Sequence, residues 1–263
     1  MKKWFEFYSV ENKDFEKVQQ LVGQIPWGHH LVIFPKSKSY EEALFYCGKT
    51  TENNWSRAVL MHQLEGDLYQ RIGKATTNFS TTMTAPQSEL ARDTLKDPYK
   101  PDFLDLGEKV LERDIEQQLI KHITSFLLEL GKGFSFVGQQ VGLKIDDQDF
   151  YIDLLFYHIK LKCYVVVELK AIEFKAEFAG KMNLYLSAVD DQMKTESDNP
   201  TIGLLLCKSK SEIIAEYALR GTTQPIGIAQ YDLNKAIPDE LEPNLPTIEK
   251  IEKELNASIE GDS

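Results

Sequence analysis

The chain has 263 residues, 42% hydrophobic and 27% charged, which suits a globular protein with one large core or two modest ones. No apolar run approaches the ~20 residues of a transmembrane helix, and the opening MKKWFEFYSVENKDF lacks the apolar stretch of a signal peptide; this reading excludes a membrane or secreted protein. Net charge is −11, but from Asp232 onward nine acids face three bases, so more than half of the excess lies in a short tail, and the remainder still argues against tight non-specific DNA binding. Cys47, Cys163 and Cys207 are odd in number and lack metal-type spacing, as expected of buried thiols in a reducing cytoplasm.

Residues 1–105 read as a helical domain. Glu11 to Ile25 carries Phe15, Val18, Leu21, Val22 and Ile25 at helical spacing, and Pro26-Trp27-Gly28 is expected to break it. His29 and His30 then read as turn or surface residues, with no third metal ligand nearby. Ser39 to Tyr46 is expected as a short helix, with Ser39 capping toward Glu42. Asn54 to Ile72 reads as a longer helix opened by Trp55, a core anchor, and Arg57, an exposed arginine. Thr76 to Thr84 is a polar loop, and Gln87 to Leu95 a weaker helix ending before Asp97-Pro98.

Residues 106–233 read as a second domain, entered through a linker from Pro98 to Leu106. Gly107 to Leu130 is an amphipathic helix with Leu111, Ile115, Leu119, Ile123 and Leu127 at intervals of four. Glu116 lies beside that stripe, and the bland reading is a solvated glutamate. Gly131-Lys132-Gly133 ends the helix. Phe134 to Val137 and Val141 to Ile145 form a first, bent strand, and Asp146-Asp147-Gln148 a turn. Phe150 to Tyr157 and Cys163 to Leu169 pair as a hairpin. A helix from Ala176 to Val189 follows, then a buried strand from Ile202 to Cys207, a helix from Ser211 to Leu219 and a strand from Pro225 to Leu233. Antiparallel strands followed by alternating helices and strands predict a mixed α/β (α+β) sheet flanked by helices. Residues 234–263 form an acidic tail.

Within the hairpin, FYIDLLFYHIKLKCYVVVELK, three charges interrupt an apolar setting: Asp153, Glu168 and Lys170. A carboxylate in such a strand costs several kcal/mol unless paired. Strand alternation puts Glu168 and Lys170 on one face, and the partner strand brings Asp153 toward it. Two carboxylates and an ammonium at a sheet end suit Mg²⁺ or Mn²⁺, which prefer hard oxygen ligands, and the phosphate chemistry such ions support. The alternative is a buried Glu168–Lys170 ion pair.

The spacing Asp153…Glu168-Leu169-Lys170 resembles the PD-(D/E)xK nuclease superfamily. The fuller wording is similar to its bacterial YhcG-like branch: GFSFVGQQVGL, DFYIDLLFYH, CYVVVELK, AGKMNLYLSAVDD and DNPTIGLLLCKSK, preceded by IPWGHH, NNWSR and LKDPYKPDFL. The resemblance implies a restriction-endonuclease-like core behind a helical N-terminal domain, and a Mg²⁺- or Mn²⁺-dependent endonuclease acting on DNA. It implies Asp153, Glu168 and Lys170 as catalytic residues and Glu116 as a further metal ligand. It also implies that the N-terminal domain guides nucleic acid, a second copy or a protein partner. Such nucleases often carry a Gln-xxx-Tyr pair on the helix after the lysine. Here Tyr185 stands at the tyrosine position, but Lys181 replaces the glutamine; both are candidates for substrate contact.

Two rival readings remain. A catalytically silent nucleic-acid-binding or interaction protein would account for the acidic balance and Lys181. A glycoside hydrolase would use Asp153 and Glu168 as its carboxylate pair, but leaves Lys170 without a role.

Overall fold

The hairpin from Phe150 to Lys170 supplies two interior strands of a six-stranded sheet. The computed structural model describes residues 23–101 and 111–232. The expected Glu11–Ile25 helix up to residue 22, the start of the Gly107 helix, the later part of the linker and the acidic tail lie outside the described residues.

The described chain divides into two compact units between Gln70 and Arg71. The first carries α1 (Trp27–Lys36), α2 (Tyr40–Asn53) and α3 (Arg57–Glu65), with α4 (Leu68–Arg71) at the division. Helical Gly23 is followed by a turn, so the chain leaves its helix before Pro26 as expected; Pro26 then precedes α1, since its missing N–H costs nothing at a helix start. His29 and His30 therefore sit inside α1: His30 is buried, and His29 Nε2 lies 2.9 Å from the Trp55 carbonyl oxygen. Ser39 caps α2 by accepting the Glu42 amide at 3.2 Å, as read, but α2 runs on to Asn53. Asn54, in the left-handed region, ends it, and Ser56 starts α3 afresh by accepting the Val59 amide. The single helix expected from Asn54 to Ile72 is two pieces, α3 and α4, parted at Gly66-Asp67, where Asp67 takes φ 52°. Trp55 is only half-buried, whereas Arg57 is exposed as expected.

The second unit contains β1 (Thr76–Thr77), α5 (Phe79–Thr82), α6 (Gln87–Thr94), α7 (Glu112–Lys121), α8 (Ile123–Leu130), β2 (Phe134–Ile145), β3 (Gln148–His158), β4 (Cys163–Glu173), α9 (Ala176–Gln192), β5 (Ile202–Ser209), α10 (Glu212–Leu219) and β6 (Ile226–Gln230). Residues 71–101, grouped from sequence with the helical domain, belong to this unit. Thr76 and Thr77 pair with β6, and Tyr99, read as linker, bridges Tyr231 and is buried. Two threonines are too short a strand to show period-two patterning, which is why they read as loop.

Strand order is β1-β6-β5-β4-β3-β2. β2, β3 and β4 are antiparallel neighbours, while β4, β5 and β6 run parallel. The β2–β3 hairpin turns through Asp146-Asp147, with Asp146 at φ 53°; a short polar side chain tolerates that conformation. Leu154, Val165, Val167, Leu204 and Leu206 face α7 and α8 through Ile115, Leu119, Phe126 and Leu130. Leu155, Val166, Leu205 and Ile228 face α9 through Met182, Leu186 and Val189. Covering both faces explains the unbroken Val165-Val166-Val167 run; burying each valine contributes roughly 1.5–3 kcal/mol. α9 approaches β5 so closely that a Cβ on Gly203 would meet Met182 at 2.7 Å.

A buried charge cluster ties the segment before the sheet to α8. Glu129 accepts Arg71 Nη1 at 2.6 Å and the Lys100 amide at 2.9 Å, and Lys96 bonds its main-chain oxygen. Arg71 also donates to the Pro98 carbonyl at 3.0 Å. Burial alone would raise the Glu129 carboxyl, but Lys96 and Arg71 outweigh it and hold its pKa below the usual range. Glu129→Leu leaves two buried cations facing an apolar group. The expected loss is about 3–5 kcal/mol, to be measured by urea unfolding against wild type; a loss below about 1 kcal/mol would mean that the cluster is solvated.

Candidate active site

β3 and β4 part where the three hairpin charges sit. Their ladder ends at Leu154↔Val167. Beyond it, β3 stays paired with β2 as far as Gln148, and β4 with β5 through Lys170. Asp153 and Glu168 would be the next cross-strand pair. Each instead turns its carboxylate onto the other strand: Glu168 Oε1 accepts the Asp153 amide at 3.2 Å, and Asp153 Oδ2 accepts the Leu169 amide at 2.9 Å. The side chains supply bonds that the parting strands cannot give each other.

Lys170 shares this end of the sheet. Its Nζ is 3.7 Å from Glu168 Oε2 and 3.1 Å from Glu112 Oε2, and it donates to the Leu169 carbonyl at 2.7 Å. Tyr231 donates to the Lys170 carbonyl at 3.2 Å. From α9, Lys181 reaches within 3.4 Å of Glu168 Oε2, and its ammonium lies 4.9 Å from the centroid of the Tyr185 ring. Tyr185 itself is buried in the core, so any influence on a substrate runs through Lys181.

Among the described residues, Glu116 makes no hydrogen bond or ion pair with Asp153, Glu168 or Lys170. Its carboxylate accepts Gln140 Nε2 at 2.9 Å, and Gln140, with φ 45°, is level with Asp153, between the Gln139–Leu154 and Val141–Ile152 pairs of the β2–β3 ladder. The acid that reaches Lys170 is Glu112, one turn earlier on α7. Sequence reading passed over it because Glu112 and Glu116 each follow a residue of the same stripe, Leu111 and Ile115. Among the described residues, no three His, Cys, Asp or Glu side chains converge as a metal cluster. Two carboxylates nevertheless fit Mg²⁺, which is commonly held by one or two of them and completes its shell with water and substrate phosphate. Asp153 Oδ1 has no hydrogen-bond partner among the described residues, which leaves an oxygen to offer.

Electrostatics point the same way. Burial, then the charge of Asp153, pushes the Glu168 carboxyl up to about 7, with Lys181 and Lys170 only partly offsetting this. Burial also raises Asp153 against the Leu169 amide bond and the two lysines. Burial pulls Lys181 down, but its Tyr185 hydrogen bond and Glu168 together hold it above the ordinary lysine value.

A mixed sheet flanked by helices, with Asp153 and Glu168-Leu169-Lys170 at one forked end, has the PDDEXK nuclease fold. Residues 92–246 match the family described as YhcG PDDEXK nuclease domain, and residues 1–71 match the DUF1016 N-terminal domain. The chain belongs to the YhcG PDDEXK nuclease family. "Putative nuclease YhcG" of Escherichia coli (strain K12) is 35% identical over 206 residues, 77% of this chain and 54% of that protein; the chain therefore spans about half that relative's length. Two solved structures show partial similarity. One is a repair endonuclease from Pyrococcus abyssi, with TM-score 0.32 and 13% identity over 50% of each chain. The other is the EndoMS–dsDNA2 complex, with TM-score 0.33 and 16% identity over 49% of this chain and 47% of that one. No described helix is long and apolar enough to cross a membrane.

The raised Glu168 pKa couples stability to pH. The folded state holds this proton more tightly than the unfolded chain. Its contribution is therefore complete below about 4.5, the ordinary value, and is lost as pH rises through about 7. The shift is worth on the order of 3 kcal/mol. Without divalent metal, the wild-type melting temperature minus that of Glu168→Gln should fall between pH 5 and 7.5. A difference that stays flat across that window would show that Glu168 is ionised throughout.

Proposed function

We propose that this chain is a divalent-metal-dependent endonuclease that hydrolyses phosphodiester bonds in DNA. The observation that carries this reading is the Asp153–Glu168 pair at the fork, with two ammonium groups within 4 Å of Glu168 Oε2. Asp153 and Glu168 would hold Mg²⁺ or Mn²⁺. A divalent ion bound there supplies a more acidic water and offsets phosphate charge. Lys170, steadied by Glu112 and the Leu169 carbonyl, stabilises charge that develops on the phosphate oxygens. Lys181 binds the phosphate, and Tyr185 positions Lys181. Glu112 keeps the Lys170 ammonium aimed at the fork. DNA rather than RNA is assigned on the family resemblance. The unit before Arg71 matches a separate family, which supports a distinct task for it in holding substrate or a partner.

A second reading is favoured by one feature. Asp153 and Glu168 already satisfy each other's strands, and Lys181 already offsets part of the Glu168 charge, so the fork would also suit a silent nucleic-acid-binding protein.

Cleavage separates the two. Asp153→Asn keeps shape and the Leu169 contact but removes one negative ligand, and should abolish Mg²⁺-dependent cleavage of a labelled duplex while the protein stays folded. Lys170→Ala should retain Mn²⁺ binding by calorimetry yet cleave slower by on the order of 10²–10³. Wild-type-like cleavage by Asp153→Asn in matched metal and salt would remove this site from the mechanism. An RNA duplex run in parallel tests the choice of substrate.

A further inference from the structure

The oxygens of Glu168 are unequally used. Oε1 is committed to the Asp153 amide, while Oε2 faces both Lys170 and Lys181. The two lysines differ in kind. Lys170 is nearly buried, its side chain 9% exposed, and is fixed by Glu112 and the carbonyl beside it. Lys181 is 47% exposed along its side chain and comes from another element, α9. It rests on the buried Tyr185 ring, an arrangement that steadies an ammonium through the ring's negative face. A solvated lysine at this position would lose little by pointing outward. Instead it is aimed at the carboxylate.

Charge sets a limit on what the site can add. Asp153, Glu168 and Glu112 bring three negative charges when ionised, and Lys170 and Lys181 bring two positive ones. One divalent ion together with one phosphodiester monoanion makes this set neutral. A second divalent ion would leave two uncompensated positive charges at the end of a buried strand pair, where such charges interact more strongly than in water. It would also have to lean on Glu168 Oε2, the oxygen that Lys181 faces at 3.4 Å.

We propose that Lys181 takes the part that a second metal ion takes in two-metal nucleases: the site binds one divalent ion per chain, and the Lys181 ammonium holds the phosphodiester beside it. This rests on the metal-dependent reading above. It makes the departure from glutamine at this position a working feature of the site.

The test is Mn²⁺ titrated calorimetrically into the metal-free full chain, for wild type, Lys181→Gln and Lys181→Arg. Wild type should take up one ion per chain and Lys181→Gln two, the first bound more tightly by on the order of tenfold because a repelling charge is gone. Lys181→Arg keeps the charge and should take up one. In cleavage of a short DNA duplex, Lys181→Gln should raise KM more than it lowers kcat, and Lys181→Arg should restore KM. Two ions in wild type, or one ion with unchanged affinity in Lys181→Gln, overturns the inference while leaving the metal-dependent reading in place. No Mn²⁺ uptake by wild type overturns both.

Discussion

Everything at the candidate site depends on how β3 and β4 come apart. A central strand pair cannot simply stop, because amides left unpaired away from water cost about as much as a lost hydrogen bond. β3 must follow β2 and β4 must follow β5, so the two diverge after Leu154 and Val167. The Asp153 and Glu168 carboxylates close the gap by crossing to each other's strand. A carboxylate accepts an amide proton more strongly than a neutral group does, which favours acids at both positions. The consequence is two like charges held close together in a half-dry fork. Structure and the proposed chemistry thus fall to the same two side chains: the acids that seal the sheet are those to which the proposed reading gives the metal ion.

The rest of the unit positions charge around this fork. β4, β5 and β6 run parallel, and Glu168 and Lys170 sit toward the carboxyl end of β4, just before α9. Open sheets bind ligands outside the carboxyl ends of their parallel strands. The β4–α9 connection delivers Lys181 back over Glu168 from one side. On the other side, Asp114 accepts the Leu111 amide at 3.0 Å and fixes the first turn of α7, the turn that carries Glu112 to Lys170. Neither helix is free to slide. Met182 of α9 fits against Gly203, and Ile115 and Leu119 of α7 are buried against the opposite face.

Much of this was legible in the residues. Two apolar runs, Phe150 to Tyr157 and Cys163 to Leu169 with its unbroken Val165–Val167, identified the hairpin, and three charges in that setting marked the candidate site. Asp153, Glu168 and Lys170 do come together. Three things were less legible. The first was the register of the acid on α7: a stripe at intervals of four flanks Glu112 and Glu116 equally, and only the tertiary approach of the helix to Lys170 separates them. The second was the extent of the sheet unit. Thr76-Thr77 is too short to show a pattern, and Tyr99 gains its burial from Tyr231, more than 130 residues further on. The third was the helix from Asn54, where Gly66 and a left-handed Asp67 end one helix and let another start without disturbing the hydrophobic spacing.

Two groups of buried or half-buried charge in this unit behave in opposite ways, and the contrast separates scaffold from site. At Glu129 two cations serve one carboxylate, and the pKa falls below its usual value. The group is over-compensated by its own protein and has nothing to gain from a ligand cation. At the fork, two carboxylates share a desolvated end with lysines that only partly offset them, and Glu168 rises to about 7. That group is under-compensated, and the missing charge is positive. Perturbed carboxylates of the second kind mark functional sites more often than those of the first, because a scaffold gains nothing by leaving repulsion unrelieved. The same comparison bears on the net charge of −11. On the proposed reading, a phosphodiester at this position would answer to the local balance of three acids, two lysines and an ion; exposed charge more than a Debye length of about 8–10 Å away is largely screened.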